Sequence, residues 1–222
     1  MTPKYVLFDL DGTLSDSAPG ILAALRHAFE VTGFPPMSPE TEREILGPPF
    51  YESLPPILGG SERLGDVIAA YRAHYGNTEN GGGMFNTVSY PGVPDLLAEL
   101  HAAGRVMAVA TSKPEAYARP IVEHLGMGPY FETIGGDALD GSLGTKALVI
   151  GVVLDRLGNP DPADVIMVGD RSHDVLGARE HGIDAVAITW GYATPGEIDT
   201  AAPRWVCATA TEVAEVLGLE KR

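Results

Sequence analysis

Short, almost continuously apolar runs recur along this chain, and amphipathic segments separate most of them. The predicted strands are Tyr5–Leu10, Val106–Thr111, Tyr130–Ile134, Val165–Val168 and Ala185–Thr189, with a weaker one at Arg204–Cys207. Runs that are apolar on both faces are typical of parallel strands covered by helices on both sides. The predicted helices between them are Pro94–Ala103, Pro114–Leu125 and Lys146–Leu157. This alternation predicts an α/β fold with a doubly wound, Rossmann-like parallel sheet.

One long stretch, residues 15–88, interrupts the alternation. It contains helical patterns, among them Ile21–Phe29 and Leu64–Tyr75, together with several proline pairs and no convincing strand. We therefore predict an α-helical domain at residues 15–88, inserted into an α/β core made of residues 1–14 and 89–222. The alternative is that these helices continue the same domain.

The charge balance limits the classes of partner. The 222 residues include 30 acidic and 15 basic side chains, for a formal net charge of −15. This excess argues against a nucleic-acid polymer or an anionic membrane as partner, although a small anionic substrate needs only a local positive site. The single cysteine, Cys207, rules out an internal disulfide and suits a reducing compartment. With no signal-peptide pattern and no run approaching about 20 apolar residues, we expect a cytoplasmic protein outside the membrane.

Two acidic residues, Asp9 and Asp11, stand at the end of the first predicted strand. Since side chains alternate along a strand, these two acids are expected to point the same way. Two neighbouring negative charges repel each other, so the pair requires a metal ion, a shared proton or a surface position. Gly12 comes next and allows the backbone to turn sharply and approach a ligand closely.

Three further sets of polar residues stand at predicted element boundaries. Thr111 and Ser112 follow a strand and precede a helix, where hydroxyl and free N–H groups favour an anion. Lys146 begins a helix, where the helix dipole disfavours a cation and an anionic partner is expected to compensate. Asp170 and Asp174 follow a strand and a glycine, and carboxylate oxygens without a nearby His or Cys cluster suit Mg²⁺.

Each of these sets alone is commonly a helix cap, a turn or a solvated surface charge. Taken together they follow one order along the chain: an acid pair, hydroxyl groups, a lysine and a second acid pair. Because the carboxyl ends of parallel strands lie at one edge of a sheet, we expect these side chains to converge on one site.

The motifs DLDGT at residues 9–13 and GDRSHD at 169–174, with Thr111 and Lys146 between them, resemble the haloacid dehalogenase-like hydrolase superfamily. The resemblance spans essentially the whole chain and is to the phosphoglycolate phosphatase-like branch, which carries a helical cap. It implies a Mg²⁺-dependent phosphatase that acts on a small phosphorylated metabolite.

The same resemblance implies a role for each matching residue. Asp9 is expected to be the nucleophile that forms an aspartyl-phosphate, and Asp11 the general acid and base. The phosphoryl group is expected to be held by Thr111 and Lys146, with Ser112 and Gly12 beside it. The Mg²⁺ ligands are expected to be Asp9, the Asp11 carbonyl and Asp170. Asp174 is expected to support these ligands without contacting the metal directly.

Other reactions of the superfamily fit less well. Its dehalogenases lack the second acid, which is present here as Asp11. Its phosphosugar mutases carry a histidine early in the first cap helix, where this chain has Gly20, and the nearest histidine is His27. Its phosphonatases use a cap lysine, and residues 15–88 contain no lysine.

The substrate stays open at this level. The loop Gly47–Ser53 is the predicted specificity loop, and residues 89–93 suit a hinge for closure. The polar cap residues able to reach a substrate are Arg26, Arg43, Tyr51, Arg63 and Arg72. The loop and the stretch Ile188–Tyr192 also resemble nucleotidase-like members, so a 5′-nucleotidase-like phosphatase is an alternative. A non-catalytic module that binds a phospho-ligand or a protein, with Arg171 and His173 at its interface, is an alternative of another class.

Overall fold

The computed structural model describes residues 2–79 and 82–219. Within these ranges the strands are β1 Tyr5–Phe8, β2 Ser15–Asp16, β3 Val88–Ser89, β4 Val106–Pro114, β5 Phe131–Asp137, β6 Val165–Gly169, β7 Asp184–Ile188 and β8 Trp205–Cys207. The α-helices in the same ranges are α1 Ala18–Thr32, α2 Pro39–Glu44, α3 Phe50–Leu58, α4 Leu64–Tyr75, α5 Val93–Ala102, α6 Glu115–His124, α7 Lys146–Arg156, α8 Ser172–Glu180, α9 Glu197–Ala201 and α10 Ala210–Val216. In this part of the chain no helix is both long and apolar enough to cross a membrane.

Six of the strands form one parallel sheet in the order β5-β4-β1-β6-β7-β8. All six strands predicted from the sequence are present, with ends that differ by a few residues. Leu7 packs into the core on one face of the sheet, whereas its neighbours Val6 and Phe8 pack into the core on the other face. This burial on both faces explains the continuous apolar runs and confirms the α/β, Rossmann-like fold class.

The inserted helical region consists of α1 to α4, and α1 packs along α4. It leaves and rejoins the core through an antiparallel ribbon in which Ser15 of β2 is level with Ser89 of β3. The expectation of no strand between residues 15 and 88 was therefore wrong. Strands of two residues are too short to show a period of 2, so the sequence pattern does not reveal them. The domain boundaries themselves stay a prediction.

Candidate active site

The order of the strands brings the carboxyl ends of β1, β4 and β6 side by side. Phe8 of β1 is level with Val109 of β4 and Val168 of β6. Since the three strands are parallel, the residues that follow them leave the sheet at the same edge. Asp9 and Asp170 therefore lie next to each other in space although 161 positions separate them in the sequence.

Lys146 is a buried cation that joins two of the predicted acids. Its Nζ lies 2.8 Å from Asp9 Oδ1 and 2.8 Å from Asp174 Oδ1, and it donates to the carbonyl oxygen of Ala110 at 3.1 Å. Burial lowers the pKa of Lys146, but the charges of Asp174 and Asp9 more than offset this and raise the pKa above its usual value. The lysine at the start of α7 thus has the anionic partners that the sequence predicts.

Three buried carboxylates, those of Asp9, Asp170 and Asp174, crowd together, with one oxygen of each within 4.8 Å of the others. Asp170 accepts hydrogen bonds from Thr13 Oγ1 at 3.2 Å and from the Tyr192 N–H at 2.6 Å. Burial, and then the charges of Asp9 and Asp174, raise the pKa of Asp170 well above its usual range. Burial also raises the pKa of Asp174 to about 6, against the opposing effect of Lys146. One lysine does not neutralise three carboxylates, so this cluster favours a further cation.

The donor set suits Mg²⁺. Its members are carboxylate oxygens, the ligand type that this hard cation prefers. Asp11 Oδ1 is also buried and has no hydrogen-bond partner among the described residues. In Asp174, both carboxylate oxygens have protein partners. Its Oδ1 lies next to Lys146 Nζ, and its Oδ2 accepts a hydrogen bond from the Arg171 N–H at 3.0 Å. This arrangement is consistent with Asp174 supporting the metal rather than contacting it, which stays a prediction.

Two glycines allow the acids to lie this close to the backbone. Gly12 has a φ of +85°, and a Cβ there would collide with the carboxylate of Asp170. A Cβ at Gly169 would collide with the carboxylate of Asp174. Both positions therefore require glycine for a close approach between a strand end and an acid.

Thr111 and Ser112 lie at the same sheet edge, but their local structure differs from the prediction. The strand β4 continues to Pro114 through a bulge opposite β5, and α6 begins only at Glu115. The two hydroxyl residues therefore do not stand directly at a helix N-terminus. Thr111 is buried and its Oγ1 accepts from the Lys113 N–H at 3.2 Å, while Ser112 lines a cavity next to Asp11.

Lys113 is a buried residue at this site that the sequence motifs do not indicate. Its Nζ lies 2.9 Å from Asp11 Oδ2 and donates at 2.9 Å to the hydroxyl of Tyr75, which belongs to the helical insertion. Burial lowers the pKa of Lys113, but Asp11 and other neighbours raise it above the usual value. Asp9 and Asp11 thus have different lysine partners. In the sequence, Lys113 directly follows Thr111 and Ser112 at the end of an apolar run, and this position is the feature that indicates a role at the site.

Arg171 connects the acidic cluster to the helical insertion. It is buried, its Nε lies 2.8 Å from Glu197 Oε1, and its Nη1 donates to the carbonyl oxygen of Leu46. An arginine buried in this way is not a surface residue, which argues against Arg171 as part of a protein interface. His173 beside it is only partly buried.

A cavity of about 90 Å³ lies between the helical insertion and the core. Asp11, Ser112 and Lys113 line it from the core, and Tyr51 and Arg72 line it from the insertion. It also touches the predicted specificity loop at Gly47, Pro48, Pro49 and Phe50. This space therefore lies directly next to the carboxyl group of Asp11.

The other polar cap residues singled out from the sequence are engaged elsewhere. Arg26 pairs with Glu42 at 2.6 Å, and Arg63 pairs with Asp66 at 3.1 Å, both on the surface. Arg43 donates to a backbone carbonyl on its own helix. In the stretch 188–192, Trp190 donates to the Thr13 carbonyl, so this aromatic residue supports the loop that follows β1.

Comparison with known proteins identifies a family and several relatives. Residues 6–188 match the family described as haloacid dehalogenase-like hydrolase. Tyrosine-protein kinase PtkA of Mycobacterium tuberculosis is 44% identical over 98% of this chain and 74% of the relative. A 5′-nucleotidase of Pseudomonas aeruginosa is 32% identical over 96% of this chain and 94% of the relative. Phosphoglycolate phosphatase 1 of the same organism is 33% identical over 92% of this chain and 76% of the relative. Among solved structures, a predicted phosphatase from Clostridium acetobutylicum has a TM-score of 0.90 at 32% identity, covering 98% of this chain and 99% of that one.

Proposed function

The chain belongs to the haloacid dehalogenase-like hydrolase family, and on that premise we propose that it is a Mg²⁺-dependent, phosphoglycolate phosphatase-like enzyme. It hydrolyses a small phosphate monoester through an aspartyl-phosphate on Asp9. The observation that carries the proposal is the unequal pairing of the two acids at the end of β1. Asp9 belongs to the acidic cluster and pairs with Lys146, whereas Asp11 pairs with Lys113 and lines the cavity.

These positions suit two different tasks. In the first half-reaction a carboxylate oxygen of Asp9 forms a bond to phosphorus, and the bond from phosphorus to the leaving-group oxygen breaks. Asp11 gives its proton to that oxygen, which leaves as an alcohol. In the second half-reaction Asp11 takes a proton from water as the water oxygen attacks phosphorus, and the carboxylate of Asp9 is released. Lys113 Nζ, 2.9 Å from Asp11 Oδ2, holds the side chain of Asp11 in position for both proton transfers.

Asp9, the Asp11 carbonyl and Asp170 would hold Mg²⁺. When bound, the ion stabilises negative charge on the transferring phosphoryl group. Lys146 places a second positive charge beside Asp9, and Thr111 and Ser112 supply hydroxyl groups at the same edge. Gly12 lets the backbone pass close to Asp170. Electrostatic stabilisation of this kind is usually the largest contribution to phosphoryl-transfer catalysis.

The named relatives supply the first substrates to test. Phosphoglycolate is the first candidate, and a nucleoside 5′-monophosphate is the second because the cavity is lined by aromatic side chains. The partner is a small phosphorylated metabolite, and the net charge of −15 argues against a nucleic-acid polymer. The single cysteine suits a cytoplasmic location.

The test is phosphate release from a panel of phosphomonoesters with Mg²⁺, with and without a chelator, for the wild type and Asp9→Asn. We expect turnover that needs Mg²⁺ and is lost in Asp9→Asn. Absence of turnover for every ester would support the non-catalytic alternative. The name of the mycobacterial relative makes labelled ATP a useful addition, because label on a protein tyrosine instead of in free phosphate would indicate a kinase.

A further inference from the structure

We propose that the cavity beside Asp11 receives a leaving group that carries an aromatic ring, and that it selects this ring over a short carboxylate. The inference rests on the proposed phosphatase function and specifies its substrate class. Asp11 itself lines the cavity, so a leaving group whose oxygen takes a proton from Asp11 extends from there into the space between insertion and core.

The walls of the cavity are aromatic and apolar. Phe50, Tyr71 and Tyr117 line it. Phe50 packs edge-on against Tyr71 with ring centroids 4.8 Å apart, and Tyr71 stacks on Tyr75 at 5.1 Å. Tyr117 meets Tyr75 edge-on at 5.4 Å. A planar ring entering this cluster makes the same edge-on and stacked contacts that these side chains make with one another.

The cations in the cavity already have partners. Lys113 is paired with Asp11 and bonded to Tyr75, and Arg72 Nη2 donates to the Leu139 carbonyl and to the Tyr51 hydroxyl. The two acids and two bases that line the cavity, Asp11, Asp137, Lys113 and Arg72, also balance in formal charge. A carboxylate such as that of phosphoglycolate would have to displace Arg72 from these two hydrogen bonds or lie against the apolar walls, and both are unfavourable. A neutral ring carries no such cost.

The outer end of the cavity offers further apolar surface. Tyr51 and Leu139 both line the cavity and are 41% and 44% exposed. The enclosed space of about 90 Å³ is smaller than the roughly 150 Å³ of an engineered apolar cavity that takes up benzene. A ring therefore extends from the enclosed part toward this rim, where it covers side chains that water otherwise contacts.

The experiment compares benzyl phosphate, n-propyl phosphate and phosphoglycolate with the Mg²⁺-loaded full chain. Benzyl and propyl phosphate are both esters of primary alcohols, so the comparison tests ring binding more than leaving-group reactivity. We expect kcat/KM to be about tenfold higher for benzyl phosphate than for the other two, mainly through a lower KM. Equal values for benzyl and propyl phosphate, or a higher value for phosphoglycolate, would overturn the inference and leave the phosphatase function standing.

Variants locate the selection in the cavity. Phe50→Leu is expected to lower the benzyl-to-propyl ratio by about threefold or more, and Phe50→Tyr, which keeps the ring, is expected to preserve the ratio. Turnover of propyl phosphate reports that each variant is folded. If Arg72→Gln raised the KM for phosphoglycolate about tenfold and left the other two esters unaffected, the cavity would be an anion site and the inference would be wrong.

A binding measurement separates this inference from the proposed function. If no ester is turned over, the phosphatase proposal fails, and calorimetry with benzylphosphonate and propylphosphonate still tests the ring preference. Tighter binding of benzylphosphonate, weakened in Phe50→Leu, supports an aromatic ligand. Equal binding of the two phosphonates contradicts it.

Discussion

Lys113 Nζ lies 2.9 Å from Asp11 Oδ2 and, on its other side, 2.9 Å from the hydroxyl of Tyr75. The buried ammonium group of Lys113 thus connects Asp11 of the core to Tyr75 in helix α4 of the insertion. Because Lys113 also lies over the ring of Tyr75, at 4.9 Å from its centroid, the packing of the insertion against the core and the position of Asp11 depend on the same side chain.

Removal of this ammonium group is expected to impair proton transfer. Lys113→Met keeps an apolar side chain of similar length and loses both contacts, so Asp11 is no longer held in place. We expect kcat to fall roughly ten- to hundredfold on a phosphomonoester, with a smaller change in KM. Tyr75→Phe, which keeps the ring and removes only the hydroxyl, is the matched variant and is expected to have the smaller effect. A kcat for Lys113→Met within about twofold of the wild type would contradict a role in positioning Asp11.

The acidic cluster predicts a response of stability to Mg²⁺. A free Mg²⁺ concentration about 100 times the dissociation constant raises the free energy of unfolding by about 2.7 kcal/mol. For a chain of this length, this corresponds to an increase of about 5–10 °C in Tm. Asp170→Asn is expected to raise Tm without metal, since one of the repelling charges is removed, and to lose most of the Mg²⁺ response. Scanning calorimetry with and without Mg²⁺ measures both effects. The control is Asp184→Asn, which changes a partly exposed acid paired with Arg204 and should keep the Mg²⁺ response. An undiminished response in Asp170→Asn would exclude the acidic cluster as the metal site.

Gly12 and Gly33 provide a matched pair of glycine substitutions. Both have positive φ, +85° and +78°, but a Cβ at Gly33 has no atom of the described residues within 4 Å, whereas one at Gly12 collides with Asp170. Gly33→Ala is expected to cost about 1 kcal/mol of stability from backbone strain alone. Gly12→Ala is expected to cost more and also to reduce activity by displacing Asp170. Chemical denaturation and phosphate release measure the difference, and equal behaviour of the two variants would show that the close approach at Gly12 is unimportant.

Glu197 predicts a dependence of stability on pH. Although burial raises its pKa, hydrogen bonds from Arg171, Ser172 and Thr194 lower the pKa of this carboxyl from 4.5 to about 2. A carboxyl with a lower pKa in the folded state stabilises the fold above its unfolded pKa, and this contribution is lost as the pH falls from about 4.5 towards 2. Glu197→Gln is therefore expected to cost about 2–3 kcal/mol at neutral pH and progressively less in acid.

Denaturation curves at several pH values test this expectation. The control is Asp66→Asn, which breaks an exposed pair with Arg63 and should change stability by less than about 1 kcal/mol at any pH. If the cost of Glu197→Gln stayed constant between pH 7 and pH 3, the carboxylate would not be the source of the stabilisation.

The sheet and the acids at its edge were predictable because their signals are local. The strands are apolar on both faces, and Asp9, Asp11 and Asp170 directly follow such runs. The contacts between the insertion and the core are not local. Lys113 reaches Tyr75, 38 positions earlier, and Arg171 reaches the carbonyl of Leu46, 125 positions earlier. No periodicity in the sequence encodes which residues meet across such separations, so Lys113 was missed and most of the polar cap residues expected at the site lie elsewhere.

The most direct test of the central claim is whether Asp9 carries the phosphoryl group during turnover. The wild type and Asp9→Asn are mixed with Mg²⁺ and a turned-over phosphomonoester, quenched rapidly in acid and analysed by peptide mass spectrometry. We predict one phosphoryl group on the peptide that contains Asp9 in the wild type, and neither phosphopeptide nor phosphate release in Asp9→Asn. Phosphate release by Asp9→Asn at the wild-type rate, without a phosphorylated peptide in either protein, would contradict the account.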